Sequence, residues 1–213
     1  SLRGARVHIV PGVIQRSRLP NVMRGEETQV LGVLQNLPVE AGGDLLIGLP
    51  GSHSKWVEVV DGCITHFDTF MTGEVFAVLS EHSILGRTQK QGAAFDGQAF
   101  DRGVQVALSA DGELGVLSTL FSARTLGLTG ELSPTAQADY LSGLMIGHEL
   151  AALAAAQRRR RNSVHLPSII LIGNAQLCTR YSRALDACGF ANVTLAEQAT
   201  ERGLWQLALA AGL

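Results

Sequence analysis

The run Leu45-Leu-Ile-Gly-Leu-Pro-Gly-Ser-His-Ser-Lys-Trp-Val-Glu-Val-Val-Asp-Gly-Cys-Ile-Thr-His-Phe-Asp-Thr-Phe70 carries three strand signals separated by two turns. Leu45–Leu49 is apolar throughout and short, the pattern of a buried strand. Pro50-Gly-Ser-His53 turns the chain into Lys55–Val60. Asp61-Gly62 then supplies the positive φ angles of a tight two-residue hairpin turn before Cys63–Phe70. Three consecutive strands therefore lead the domain.

Working outward, Arg24-Gly-Glu-Glu-Thr-Gln-Val-Leu-Gly-Val-Leu-Gln35 places Val30, Leu31 and Leu34 at helical spacing behind an acidic first turn. A helix is predicted from near Gly25, with Pro38–Gly43 as a linker. Downstream, helices are predicted over Gly73–Leu85 (apolar face Val75, Phe76, Val78, Leu79), over Gln98–Ser109 with Asp96 as cap, and over Leu114–Leu126. Ser133-Pro134 is read as the start of a long helix, because serine caps well and proline is tolerated at the first helical position. The last stretch alternates: strand Ser168–Ile172, turn Gly173-Asn174, helix Ala175–Cys188, strand Val193–Leu195, helix Glu201–Ala211. Such alternation requires parallel strands with covering helices, while the opening hairpin makes the sheet mixed. The fold class is α/β, a five-stranded mixed sheet with helices on both faces and a helical insertion over 73–133.

Composition bounds the function. The chain has 213 residues, a formal net charge of −2, 46% hydrophobic and 17% charged residues. That composition excludes a disordered chain and gives no basic face for nucleic acid. The basic run Arg158–Arg161 reads as a solvated helix end, where cations favour the helix dipole. Cys63, Cys178 and Cys188 are an odd count without CxxC spacing, which fits neither a disulfide framework nor a zinc site and points to a reducing, cytoplasmic setting. No apolar run reaches the about 18 residues of a membrane span, and no signal peptide is recognised. The chain begins with Ser1 and not Met, so a piece of a longer protein is expected.

Three turns carry candidate chemistry. Pro50-Gly51-Ser52-His53-Ser54-Lys55 offers small residues, successive N–H groups and the donors Ser52, Ser54 and Lys55, a possible cradle for phosphate. It lacks the ending of a Walker A loop and the Gly-x-Ser-x-Gly of a nucleophile elbow, and an ordinary hairpin turn would look the same. Glu26 and Glu27 beside Arg24 stand at a helix start, where carboxylates stabilise the helix dipole without further purpose. They also suit a general base that accepts a proton from a hydroxyl, or a group that helps hold magnesium. Gly173-Asn174 follows a buried strand and opens a helix, the position where open α/β sheets place ligands. The histidines are not paired at metal-ligand spacing; His66, His82, His148 and His165 are read as structural or surface groups, and His53 matters through its loop.

Asn21-Val-Met-Arg-Gly-Glu-Glu-Thr-Gln29, Pro50-Gly-Ser-His-Ser-Lys-Trp56 and Met71-Thr-Gly-Glu74 together resemble the signature segments of the 2-dehydro-3-deoxygalactonokinases. Tyr140-Leu-Ser-Gly-Leu-Met-Ile-Gly-His-Glu149 and the segment Gly173–Tyr181 fit the C-terminal half of that family, so the resemblance runs from about His8 onward. The family is similar to the actin-like, sugar-kinase and Hsp70 superfamily, whose ribonuclease-H-like second domain has the order βββαβαβα. The resemblance implies ATP and Mg2+ as partners of the reaction and phosphorylation of a sugar acid, 2-dehydro-3-deoxy-D-galactonate, at O6.

Carried over residue by residue, the resemblance makes Gly51, Ser52, His53, Ser54 and Lys55 the second phosphate loop, and Gly173 and Asn174 the adenosine motif. It puts Glu27 first as catalytic base with Glu26 as alternate, and Arg24 on the substrate. Residues 1–36 would be a lead-in with an interdomain helix, and 37–213 the nucleotide-binding domain. Two departures stand out: Ser52 replaces a common threonine, and the Asp-x-Gly-Ser/Thr motif of the first phosphate hairpin is missing. The chain is therefore expected to be the ATP-binding portion of a kinase, inactive alone, with no nucleic-acid or membrane partner and with a tendency to form homo-oligomers. A kinase for another sugar, or a non-catalytic nucleotide- or sugar-binding module, is the alternative.

Overall fold

The computed structural model describes residues 7–34, 44–90, 92 and 94–213. Its centre is a five-stranded sheet built from β3 (Leu45–Leu49), β4 (Ser54–Val60), β5 (Cys63–Phe70), β6 (Ser168–Leu171) and β7 (Val193–Leu195), in the order β5-β4-β3-β6-β7. β3–β4 and β4–β5 pair antiparallel, β3–β6 and β6–β7 parallel. This is the mixed sheet that the sequence predicts. Asp61 and Gly62 both take positive φ, as the tight β4–β5 turn requires.

Alternation along the strands divides the core into two layers. Leu46, Trp56, Ile169 and Leu171 face the long helix α6 (Gln137–Arg161), α7 (Ala175–Ala187) and α3 (Gly97–Leu108), burying Phe100, Leu150, Leu153 and Leu185. Ile47, Leu49, Val57, Val59, Ile170 and Ile172 face the opposite way, packing with Val30 and Val33 of α1 (Glu26–Leu34) and Ala199 of α8 (Ala199–Ala210). The insertion after β5 holds α2 (Thr72–His82), α3, a short 3-10 turn Ala110–Leu114, α4 (Val116–Thr119) and α5 (Ser122–Leu128). A third apolar cluster, including Leu85, Ala123 and Leu132, joins it to Tyr140, Leu141 and Leu144 of α6.

Several boundaries differ from the sequence reading for identifiable reasons. Leu114–Leu126 is not one helix: Gly115, at φ 90°, separates the 3-10 turn Ala110–Leu114 from α4, and α4 ends at Thr119 before α5 starts at Ser122. Ser133 caps only a single turn, its hydroxyl accepting from the Ala136 N–H at 3.3 Å, and α6 proper begins at Gln137. Asp96 does cap α3, accepting from the N–H groups of Gln98 and Ala99. Val78, placed on an apolar face, is 49% exposed. The basic end of α6 is not simply solvated: Arg160 pairs with Glu58 and Asp68, and Arg161 with Asp44 at 2.6 Å. The predicted linker Pro38–Gly43 lies outside the described residues. A two-stranded ribbon, β1 (Val13–Gln15) with β2 (Asn21–Met23), was not predicted. It docks on β5 through polar contacts, Asn21 Nδ2 donating to Phe67 O and Phe67 N to Gln15 Oε1. Cys63, Cys178 and Cys188 are free thiols. Among the described residues no helix is long and apolar enough to cross a membrane.

Glycine sets the approach of α3 to α6. A Cβ on Gly143 would overlap the Phe100 carbonyl oxygen and lie 2.8 Å from its carbon. Gly143→Ala gains up to about 1 kcal/mol of helix propensity but forces backbone against backbone, a cost of about 1–3 kcal/mol. Since the opposing atoms are main chain and cannot rotate away, net destabilisation is expected. A urea midpoint below wild type checks this; an unchanged or higher midpoint would contradict it.

Candidate active site

β3 and β6 run parallel, so their C-terminal ends emerge at one edge of the sheet and bring two turns together. Pro50–His53 follows β3; Ile172–Asn174 follows β6. A Cβ on Gly173 would sit 3.5 Å from the Pro50 carbonyl oxygen, which measures how close they lie. Between them opens a cavity of about 370 Å³. Gly51 and Ser52 line it from the first turn, and Asn174, Gln176, Leu177 and Arg180 from the second turn and α7. Phe76 of α2 and Ser142, Met145 and Ile146 of α6 close the remaining walls. Asn174 also caps α7, its Oδ1 accepting from Gln176 N at 2.9 Å and Leu177 N at 3.3 Å.

The start of α2 grips the first turn. Glu74 N donates to Ser52 O at 2.9 Å, and a Cβ on Gly73 would overlap Gly51 O and stand 2.8 Å from Ser52 Cα. Only glycine permits that approach. His53 Nε2 pairs with the Glu74 carboxylate on the outer side of the turn. Met71-Thr-Gly-Glu74 thus has a physical task that the sequence reading left unassigned.

A second cavity, of about 540 Å³, lies across the same turn. Its walls include Val22, Met23, Arg24, Glu26, His53 and Lys55. Lys55 Nζ donates to Val22 O at 2.8 Å and Thr69 Oγ1 at 2.7 Å. Burial pushes its pKa below the usual lysine value, partly opposed by the negative charge of Glu26. Glu26 Oε2 accepts from Arg24 N at 3.0 Å, and Glu27 Oε2 accepts from Gly25 N at 2.7 Å. Glu26 borders this cavity; Glu27 borders neither of the two.

The expected site residues are thus divided. Gly51, Ser52 and Asn174 converge on the first cavity, with Gly173 behind them; Arg24, Glu26, His53 and Lys55 converge on the second. Ser54 reaches neither with its side chain. It is fully buried, and its hydroxyl bonds Tyr181 Oη at 2.8 Å. Lys55 does border the second cavity, but its ammonium is spent on β2 and β5.

Sequence reasoning missed the polar group beneath the first cavity. Glu149 of α6 is 3% exposed and accepts from Trp56 Nε1 at 2.7 Å and Tyr181 Oη at 2.8 Å, with a further bond to the Thr72 side chain. Burial raises its pKa, and those three bonds oppose the rise. A lone acid among Leu144, Met145, Ile146 and Leu150 was the available signal. His148 is structural as expected: it bonds Thr119 Oγ1 at 2.8 Å, and burial lowers its pKa. Among the described residues, Glu58, His66 and Asp68 are the cluster spaced for a metal. The Arg160 guanidinium fills it, at 2.8 Å from Glu58, 3.1 Å from His66 and 2.5 Å from Asp68.

Comparison with known proteins places the chain in a family. The family model described as 2-keto-3-deoxy-galactonokinase matches residues 1–207. Probable 2-dehydro-3-deoxygalactonokinase DgoK1 of Rhizobium meliloti (strain 1021) is 38% identical over 206 residues, covering 93% of this chain and 62% of the relative. The 2-dehydro-3-deoxygalactonokinase of Escherichia coli (strain K12) is 33% identical over 190 residues, covering 87% of this chain and 59% of the relative. A crystal structure assigned as a 2-dehydro-3-deoxygalactonokinase protein from Sinorhizobium meliloti superposes with a TM-score of 0.82 at 34% identity, covering 94% of this chain and 64% of that one. The chain spans about three fifths of the length of the curated relatives it matches. The family match across nearly the whole chain, with a shared α/β fold, makes this chain a member of the 2-keto-3-deoxy-galactonokinase family.

Proposed function

We propose that the chain is the nucleotide-binding part of a kinase that transfers the γ-phosphoryl group of ATP to O6 of 2-dehydro-3-deoxy-D-galactonate. The observation that carries this reading is one turn, Pro50–Lys55, standing between two cavities. Phosphoryl transfer needs its donor and acceptor on opposite sides of the group that moves. The cavity lined by Gly51, Ser52, Asn174 and Arg180 would take the nucleotide; its apolar wall of Phe76, Met145, Ile146 and Leu177 suits a nucleobase. The cavity lined by Arg24, Glu26 and Lys55 would take the sugar acid, whose carboxylate calls for a cation. The sheet order also supports a ribonuclease-H-like reading of the fold.

In this reading O6 attacks the γ-phosphorus, the bond from that phosphorus to the bridging oxygen breaks, and the O6 proton passes to a carboxylate. Glu26 is better placed than Glu27 for that proton, because it borders the acceptor cavity. Mg2+, bound largely through the ATP phosphates, would neutralise charge on the transferring group. Since positioning supplies most of such catalysis, the chain alone is expected to bind Mg-ATP weakly and turn over poorly. A homo-oligomer fits the exposure of Leu204, Trp205 and Leu209 along α8, 51–63% each.

Two experiments test the reading. A Cβ at Gly51 would meet nothing within 4 Å beyond its chain neighbours, so the backbone there accepts a side chain and Gly51→Asp adds charge at the cavity wall. Combined with Gly173→Asp, it is expected to weaken Mg-ATP binding at least about tenfold by calorimetry; equal affinity would remove the nucleotide assignment. In the full-length enzyme, Glu26→Gln is expected to lower kcat about 100-fold with Mg-ATP binding intact, consistent with lost general-base catalysis. Glu27→Gln is expected to do much less, and the reverse order in stopped assays would return the role to Glu27.

A further inference from the structure

We propose that Glu149 is a positioning residue for the nucleotide side of the reaction, acting through Tyr181, Trp56 and Thr72 on the turn Gly51–Ser54. The proposal rests on the nucleotide assignment made above. Its basis is the directional network under the first cavity.

Glu149 sits within α6 with no ion-pair partner among the described residues. Burying a carboxyl group is costly unless its hydrogen bonds are made, so it is not a device for core stability alone. What it provides is direction. The Trp56 indole can only donate, so Oε1 must accept from it at 2.7 Å. Tyr181 gives its proton to Oε2 at 2.8 Å, which leaves the Tyr181 oxygen as an acceptor. Ser54, 2.8 Å away and fully buried, must then donate to Tyr181. With Glu149 as the carboxylate, which can only accept, the chain Ser54 to Tyr181 to Glu149 has one polarity.

The ends of this network fall where the site needs them. Ser54 closes the turn that begins at Pro50. Thr72, bonded to the same carboxyl group, opens α2, whose Gly73 and Glu74 hold the main chain of Gly51 and Ser52. Thr72 and Tyr181 themselves border the nucleotide cavity, whereas the acceptor cavity touches no member of the network. One carboxyl group thus fixes the turn from both sides. Glutamine at 149 keeps an acceptor for Trp56 but turns a donor toward Tyr181, which would reverse the relay. Phenylalanine at 181 keeps the ring and cuts the link to Ser54.

Steady-state kinetics of the full-length enzyme separate this role from a structural one. Tyr181→Phe and Glu149→Ala are expected to raise KM for Mg-ATP about tenfold or more, within reach of the about 100-fold that a small misplacement can cost, while KM for the sugar acid stays within about twofold. Glu149→Gln should fall between Glu149→Ala and wild type, a partial rescue by the conservative variant. Tyr181→Phe decides the matter if a Glu149 variant fails to fold, as judged by its melting curve. An unchanged nucleotide KM in folded Tyr181→Phe, or a proportional rise of both KM values, overturns the proposal. Wild-type enzyme that does not bind Mg-ATP overturns the nucleotide assignment and this proposal together, whereas normal wild-type binding with indifferent variants overturns this proposal alone.

Discussion

The parallel pairing of β3 with β6 is the constraint on which the rest depends. Leu45↔Ser168 through Gly48↔Leu171 join segments separated by the whole helical insertion. Because the two strands point the same way, the turns that follow them must leave at the same edge. An antiparallel pairing would have put Gly51 and Gly173 at opposite ends of the sheet, and no arrangement of helices could then have made one cavity from both. The register also places Gly48 beside Leu171, where a Cβ would crowd the Trp56 ring and Leu171. The strand pair, the Trp56 ring and the carboxyl group that Trp56 bonds are thus one packed unit.

The elements legible in the sequence were those whose signal is local. Asp61-Gly62 between two alternating strands, the apolar run at Leu45 and the Asp96 cap all act over a few residues, and each stands where the pattern puts it. What stayed hidden is held by distant partners. β1 and β2 are three residues each, too short for an alternation signal, and side-chain contacts with β5 fix them. The segment read as a helix over Leu114–Leu126 has the composition for one, but Gly115 cuts Leu114 off, and the rest divides into α4 and α5, both of which pack on α6.

The candidate site shows the same division at the level of side chains. Residue types in Pro50–Lys55 suggested a ring of donors, yet successive residues of a strand point to opposite faces. Ser54 therefore turns toward α7 and Lys55 toward β2. A list of polar residues in a loop cannot tell which of them face the cavity once the strand has begun; only the backbone N–H groups and the residues before the first ladder pair remain free to do so. Glu149 was harder still, because an acid in the middle of a long helix ordinarily marks its solvent side, and α6 has nearly no solvent side at this point.

The same geometry explains why one turn borders two cavities. The sheet separates two layers, and the turn after β3 sits on its edge, so Gly51 and Ser52 open toward the layer of α6 and α7 while His53 and Lys55 open toward α1 and the ribbon. Helix geometry then sorts the two glutamates. Adjacent residues of a helix lie about 100° apart around its axis, so only one of Glu26 and Glu27 can turn squarely to the second cavity. Glu27 instead folds back onto Gly25 N, a cap that holds the helix start. Glu26 also caps, through Arg24 N, but does so from the cavity wall, where its charge is felt by Lys55. Under the proposed transfer, the carboxylate that already borders the second cavity is the one placed to meet a hydroxyl there, and that position is what favours Glu26 over its neighbour.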